Sequence, residues 1–214
     1  GCQTEEEAKQ LVRCGNPVMV DRKYTYLANN FFSGKALDDK LAAYIFLEAI
    51  KKVKGKTNLG IYLATTVGEE TTGRGAHVAV QKVKPTCAIT MDVTYAACIN
   101  YRENLLNDVY LGKGAVLTEG SLMNKVMHKQ FLDICKEKQI PYQIETAPSR
   151  TYTDTDSMYT HFEGVPCYLL SIPLRYMHSS VEVCNLKDVD MLIDLIAEYI
   201  LRFDPKKSLN PFDN

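Results

Sequence analysis

Apolar positions recur along most of this chain with two alternating spacings, and each switch of spacing marks an element. From Leu37 to Val53, the residues Ala42, Phe46, Ala49, Ile50 and Val53 fall on one face of an amphipathic helix. The continuous apolar run at 59–66 predicts a buried strand. After Gly73 comes a helix ending near Val83, followed by a strand at 87–93. Helical spacing returns over 121–138 at Met123, Met127, Phe131 and Ile134. Residues 141–147 are strand-like, and 165–172 is an uninterrupted apolar strand. Val189, Leu192, Ile193, Ile196 and Ile200 define a last helix, which Pro205 ends. Apolar strands separated by amphipathic helices predict an α/β fold with a mostly parallel sheet, covered by helices on both faces.

Residues 1–33 break this rhythm. A short β-rich stretch lies between Gly15-Asn16-Pro17 and Asn29-Asn30, with no helix-strand alternation, and is too short to stand alone. The expected division is a β-rich remnant at 1–33, a main domain at 34–204 and a loose tail at 205–214.

Composition narrows the classes of function. With 46% hydrophobic and 24% charged residues over 214 positions, the chain fits an ordinary globular domain. A formal net charge of -1 gives no electrostatic case for nucleic acid or an anionic membrane as partner. No apolar run reaches the roughly 20 residues that span a bilayer, and the acidic opening GCQTEEEAKQ is not a signal peptide. Seven cysteines, none in a C-x-x-C pair, read as reduced thiols and point to the cytoplasm.

Four islands of acidic and histidine residues carry the candidate chemistry: Asp38-Asp39, Glu69-Glu70, Asp92 and His178. Each sits after an apolar run or at a helix start, where open α/β sheets gather functional groups. Taken singly, each has a plainer explanation. Acidic pairs at helix starts are favoured as caps, and a lone histidine is more often a structural hydrogen-bonder than a ligand. Asp92 is different in kind, because a charge inside an apolar strand must be paired, hydrogen-bonded or metal-bound. In the turn TTVGEETTGRGA, adjacent glutamates point in different directions, so one can hold a metal while the other works as a base.

The segments GKALDDK, TTVGEETTGRGA, TMDV, GKGAVLTEGSLMN, IPYQ, TDTDSMY and IPLRYMHSSVEV occur in one order at sensible intervals. In these the chain resembles the di-metal aminopeptidases of the glutamyl aminopeptidase, tetrahedral aminopeptidase and cellulase M group, from Gly1 to about Phe203. The resemblance implies two divalent metal ions, zinc or cobalt, with Asp38 as the bridging carboxylate. Glu70 and His178 would complete one metal site, Asp92 would serve the other, and Glu69 would be the general base or acid. It also implies peptide substrates and a homo-oligomer in the full-length protein. Relatives take a further histidine from an H-x-D segment ahead of a β-rich inserted domain, and this chain contains no H-x-D. The opening residues are therefore expected to be the closing part of that insert. Ala115 stands where relatives usually have proline, and Thr153-Asp154 where they have a glycine pair. The rival readings are a related di-metal amidohydrolase (a deacylase or carboxypeptidase) and an inactive scaffold. A glycosidase is disfavoured, since the chain has no tryptophan to line a sugar cleft.

Overall fold

The computed structural model describes residues 1–98 and 108–213. In chain order the helices are α1 (Glu5–Leu11), α2 (Leu37–Val53), α3 (Glu69–Thr72), α4 (Arg74–Val83), α5 (Lys125–Lys138), α6 (Thr155–Met158) and α7 (Leu186–Arg202). The strands are β1 (Thr25–Tyr26), β2 (Phe31–Gly34), β3 (Ala88–Tyr95), β4 (Ala115–Gly120), β5 (Tyr142–Ala147), β6 (Cys167–Leu174) and β7 (Glu182–Asn185).

The apolar run at the end of the chain supplies the centre of the molecule. All eight residues of β6 are buried, because the strand is flanked in the sheet order β3-β6-β4-β5 and covered on both faces. β3 runs parallel to β6 and β4 parallel to β5, while β4 and β6 meet antiparallel. α2, α5 and α7 pack into one large apolar cluster with Tyr168, Leu170 and Ile172 of β6. On α7 the residues Val189, Leu192, Ile193 and Ile196 are buried as their spacing predicts, each worth about 1.5–3 kcal/mol against exposure. α4 and α6 cover the other face, where Val80 meets Val165 and Cys167, with Met158 packed against them.

A second, antiparallel sheet, β1-β2-β7, positions the candidate chemistry. Its pairing runs from Phe31 opposite Asn185 to Gly34 opposite Glu182. β2 leads directly into α2 and Asp38, and β7 follows directly after His178. One short ladder therefore fixes two of the four islands relative to each other.

Several elements differ from the sequence expectation. Residues 59–66 form no strand: Tyr62 and Leu63 are exposed, and among the described residues no strand pairs with the segment. An apolar run becomes a strand only where a partner edge pairs with it, and among the described residues none pairs with this one. In the β-rich stretch before Asn29, only Thr25–Tyr26 is strand. Val18 and Tyr26 lie exposed there, Tyr26 resting against Phe32. The opening instead carries α1, capped by the Thr4 hydroxyl, which accepts from the Glu7 amide. α5 starts at Lys125 rather than 121, since Asn124 accepts from the Met127 amide and sets the cap there. The expected loose tail is anchored: Leu209 is buried and its carbonyl accepts from Asn124 Nδ2 at 2.8 Å.

Candidate metal centre

Asp38 and Asp39 begin α2, yet neither has helical backbone angles. Asp39 Oδ1 accepts from the Ala42 amide at 3.0 Å and so fills the cap role that the acidic pair suggested. Asp38 is free of that duty. Its side chain is 7% exposed, and its Oδ2 lies 3.2 Å from His178 Nε2. The same nitrogen is 3.4 Å from Glu70 Oε2. Donor atoms of Asp38, Glu70 and His178 all lie within 4.8 Å of one another.

Three local devices bring them together. Gly68 adopts φ +73, which turns the chain at the end of the 59–66 segment and starts α3 with Glu69 and Glu70. Gly75 passes so close to Val67 that a Cβ would collide with the Val67 backbone. Glu182, 2% exposed, ties the other two pieces: its Oε2 accepts from the Leu37 and Asp38 amides at 2.7 and 3.2 Å, and its Oε1 from the His178 amide at 3.1 Å. Ala36, Tyr176 and His178 hold left-handed φ values of 54, 58 and 59 without being glycine. Such backbone strain concentrates at functional sites.

The electrostatics are those of crowded, largely buried carboxylates. Burial raises Asp38 to about 6, and Glu70 beside it adds to the rise. Burial and the neighbouring Asp38 push Asp39 up to about 8. Burial, then Asp39, pushes Asp92 to about 9, although the Val93 amide donates to its Oδ1 at 2.8 Å. Glu69 is raised to about 7 by burial and by the charges of Asp154, Glu70 and Asp38. Asp154, one of the two residues standing in the usual glycine positions, thus bears on Glu69; its Oδ2 accepts from Thr66 Oγ1 at 2.5 Å.

Asp38, Glu70 and His178 therefore form one donor set. Asp92 lies in the same electrostatic neighbourhood, and Glu69 stands beside the donors without joining them. All these carboxylates line a cavity of about 1140 Å³. Sequence reasoning missed Glu182, whose only signal was a charge at the start of β7 beside Val181 and Val183, and did not separate Asp39 from Asp38.

Donors about 2.0–2.2 Å from zinc at tetrahedral angles stand about 3.3–3.6 Å apart. The observed 3.2 and 3.4 Å fit a divalent ion held by these three residues. An α/β sheet carrying two carboxylates and an imidazole at its functional edge, with a spare glutamate alongside, is the arrangement of a metal-dependent hydrolase. Residues 1–195 match the M42 glutamyl aminopeptidase family, and the chain belongs to it.

Among similar proteins, a lysyl aminopeptidase of Pyrococcus furiosus is 36% identical over 207 residues, covering 96% of this chain and 59% of that protein. An aminopeptidase from the archaeon Desulfurococcus kamchatkensis superposes with a TM-score of 0.87 at 28% identity, covering 96% of this chain and 59% of that one. The TET1 peptidase of Pyrococcus horikoshii, described as assembling into a tetrahedron or a large octahedral shell, gives a TM-score of 0.73 at 26% identity over 95% of this chain and 60% of that one. The chain thus spans about three-fifths of the length of these relatives.

Proposed function

We propose that this chain carries the hydrolytic centre of a metal-dependent aminopeptidase, which removes amino-terminal residues from peptides. The observation that carries the reading is the convergence of Asp38, Glu70 and His178, with the raised carboxyl of Glu69 beside them. Asp38, Glu70 and His178 would hold one zinc or cobalt ion, and Asp38 with Asp92 would serve a second. A divalent ion there supplies Lewis acidity to the scissile carbonyl and acidifies the attacking water. Glu69, raised to about 7, is poised to accept that water's proton and return it to the leaving amine near neutral pH. The family and the lysyl aminopeptidase relative support peptide substrates, with a basic first residue as the first to try.

Two further points belong to the same proposal. The relative that builds shells supports a homo-oligomer in the full-length protein. Cysteines all in the free thiol state among the described residues support a cytoplasmic setting. No helix among the described residues is long and apolar enough to cross a membrane.

The test is release of nitroaniline from lysyl- and alanyl-p-nitroanilide with zinc or cobalt supplied, set against the N-acetylated forms. Cleavage restricted to the free amines is expected. Cleavage of the acetylated forms alone would point to a deacylase and contradict the reading.

A further inference from the structure

We propose that His77 and His161 form a separate metal site at the surface, which chelates one nickel(II)- or copper(II)-type ion. The pair shares no residue with the set of Asp38, Glu70 and His178, and the proposal does not depend on the aminopeptidase reading. The chain has four histidines, and two of them, 84 positions apart, meet here. His77 Nδ1 lies 2.7 Å from His161 Nε2, with ring centroids 5.0 Å apart and planes inclined at 67°. One of these nitrogens carries the hydrogen and the other presents its lone pair. Among the described residues no other hydrogen bond or ion pair engages either ring.

The fold holds both rings on fixed backbone. His77 stands on α4 three residues before Val80, and His161 lies in the turn after α6, four residues before Val165. Val80 and Val165 are buried in one apolar cluster, so α4 and this turn are joined by packing. Backbone hydrogen bonds close the turn: the His161 amide donates to the Met158 carbonyl at 3.2 Å, Gly164 to His161 at 2.9 Å and Val165 to Tyr159 at 3.2 Å. Donors placed on supported backbone lose little freedom when they bind. His77 is exposed and His161 half-buried, so water can complete the coordination of an ion.

Spacing and donor type select the ion. Imidazole suits copper, nickel and zinc, whereas magnesium and calcium take oxygen donors. Two nitrogens bound at about 2.0 Å stand about 2.8 Å apart across a right angle, and about 3.3 Å apart across a tetrahedral one. The 2.7 Å of this pair matches the right angle, the geometry of tetragonal copper(II) and nickel(II). Asp38, Glu70 and His178 differ on both counts, with two oxygen donors and the wider 3.2 and 3.4 Å spacings. On binding, the hydrogen between the rings moves to the far nitrogen of its own ring, leaving both facing nitrogens to donate. Asp154 adds a favourable field. Burial raises its carboxyl, while a hydrogen bond from Thr66 and the charge of His77 lower it, so its carboxylate lies within electrostatic reach of a cation at the pair.

Nickel titrated into the His178→Ala chain tests the site by itself, with the exposed thiols of Cys2 and Cys14 blocked by iodoacetamide. Ring signals of His77 and His161 in the NMR spectrum should broaden together and saturate at one nickel per chain. Those of His128, which meets the Tyr168 hydroxyl at 2.8 Å, should stay sharp. His77→Gln keeps a hydrogen-bonding group and removes one leg of the chelate. The metal-free variant should melt with its parent and bind nickel about 100-fold more weakly, and His161→Gln should match it. Zinc should bind the pair more weakly than nickel and dialyse away, and magnesium should not displace nickel. Sharp His77 and His161 signals at saturating nickel, affinity unchanged in the two variants, or binding seen only at millimolar nickel would overturn the proposal. Zinc held more tightly than nickel would also overturn it.

Discussion

Glu182 lies buried beneath His178 and accepts its backbone amide at 3.1 Å, while its other oxygen accepts from the backbone leading into Asp38. One carboxylate thus spaces two metal-facing side chains that are 140 positions apart in sequence. Groups that orient ligands in this way typically contribute 10–100-fold to metal affinity. Glu182→Gln keeps one acceptor and replaces the other with a donor, so one set of amides loses its partner. Zinc titration should show affinity reduced at least tenfold, with a lower melting temperature from the orphaned buried amides. Unchanged affinity would mean the ladder of β2 and β7 positions the site without Glu182.

The adjacent glutamates should separate cleanly. Glu70→Gln removes a charged donor 3.4 Å from His178 Nε2 and should weaken zinc binding first. Glu69→Gln should leave zinc binding intact and lower turnover about 10²–10⁴-fold in the active full-length enzyme, because an amide cannot take the proton. Equal metal loss in both variants would refute this division of work.

Proton linkage gives the metal-free chain an unusual pH response. Asp39 and Asp92 ordinarily titrate at 3.8 but reach about 8 and about 9 when folded. The folded state therefore binds these protons more tightly than the unfolded state. Their contribution is complete below pH 3.8 and is lost as pH rises through 8 and 9. The melting temperature of the metal-free chain should fall between pH 6 and 9, and Asp92→Asn should flatten that fall. Added zinc should stabilise more as pH rises, because it no longer competes with those protons. A metal-free chain that gains stability over pH 6–9 would contradict the assignment.

On the proposed reading, the chain's own donors supply three ligands to one ion. Asp38, Glu70 and His178 should hold one zinc tightly, while Asp38 and Asp92 alone should hold a second weakly. Elemental analysis after dialysis should give about one zinc per chain. Two tightly held ions would require a donor not identified among these residues.

The helices α2, α4, α5 and α7 were legible because each buries one face, and that requirement writes a spacing into the sequence whatever lies opposite. The strand β6 was legible for a related reason, being buried on both sides. Residues 59–66 have the same apolar character but no partner edge, and an apolar run does not encode where its partner is. β4 and β7 were not foreseen as strands, as each is short and interrupted by polar groups. In the site, Asp38, Glu70 and His178 stood out by position and by the family resemblance. Glu182 did not, since its part is played through backbone amides, two of them about 145 positions away at Leu37 and Asp38. The separate duties of Asp38 and Asp39 needed coordinates, because only geometry shows which one caps Ala42.

The most direct measurement is anomalous diffraction at the zinc edge from crystals of the chain soaked in zinc. The ion should appear about 2.0–2.2 Å from a carboxylate oxygen of Asp38, a carboxylate oxygen of Glu70 and His178 Nε2, with Glu69 beside it and not bound. A zinc peak away from all three, or one that persists unchanged in His178→Ala, would contradict the metal centre and the hydrolytic reading built on it.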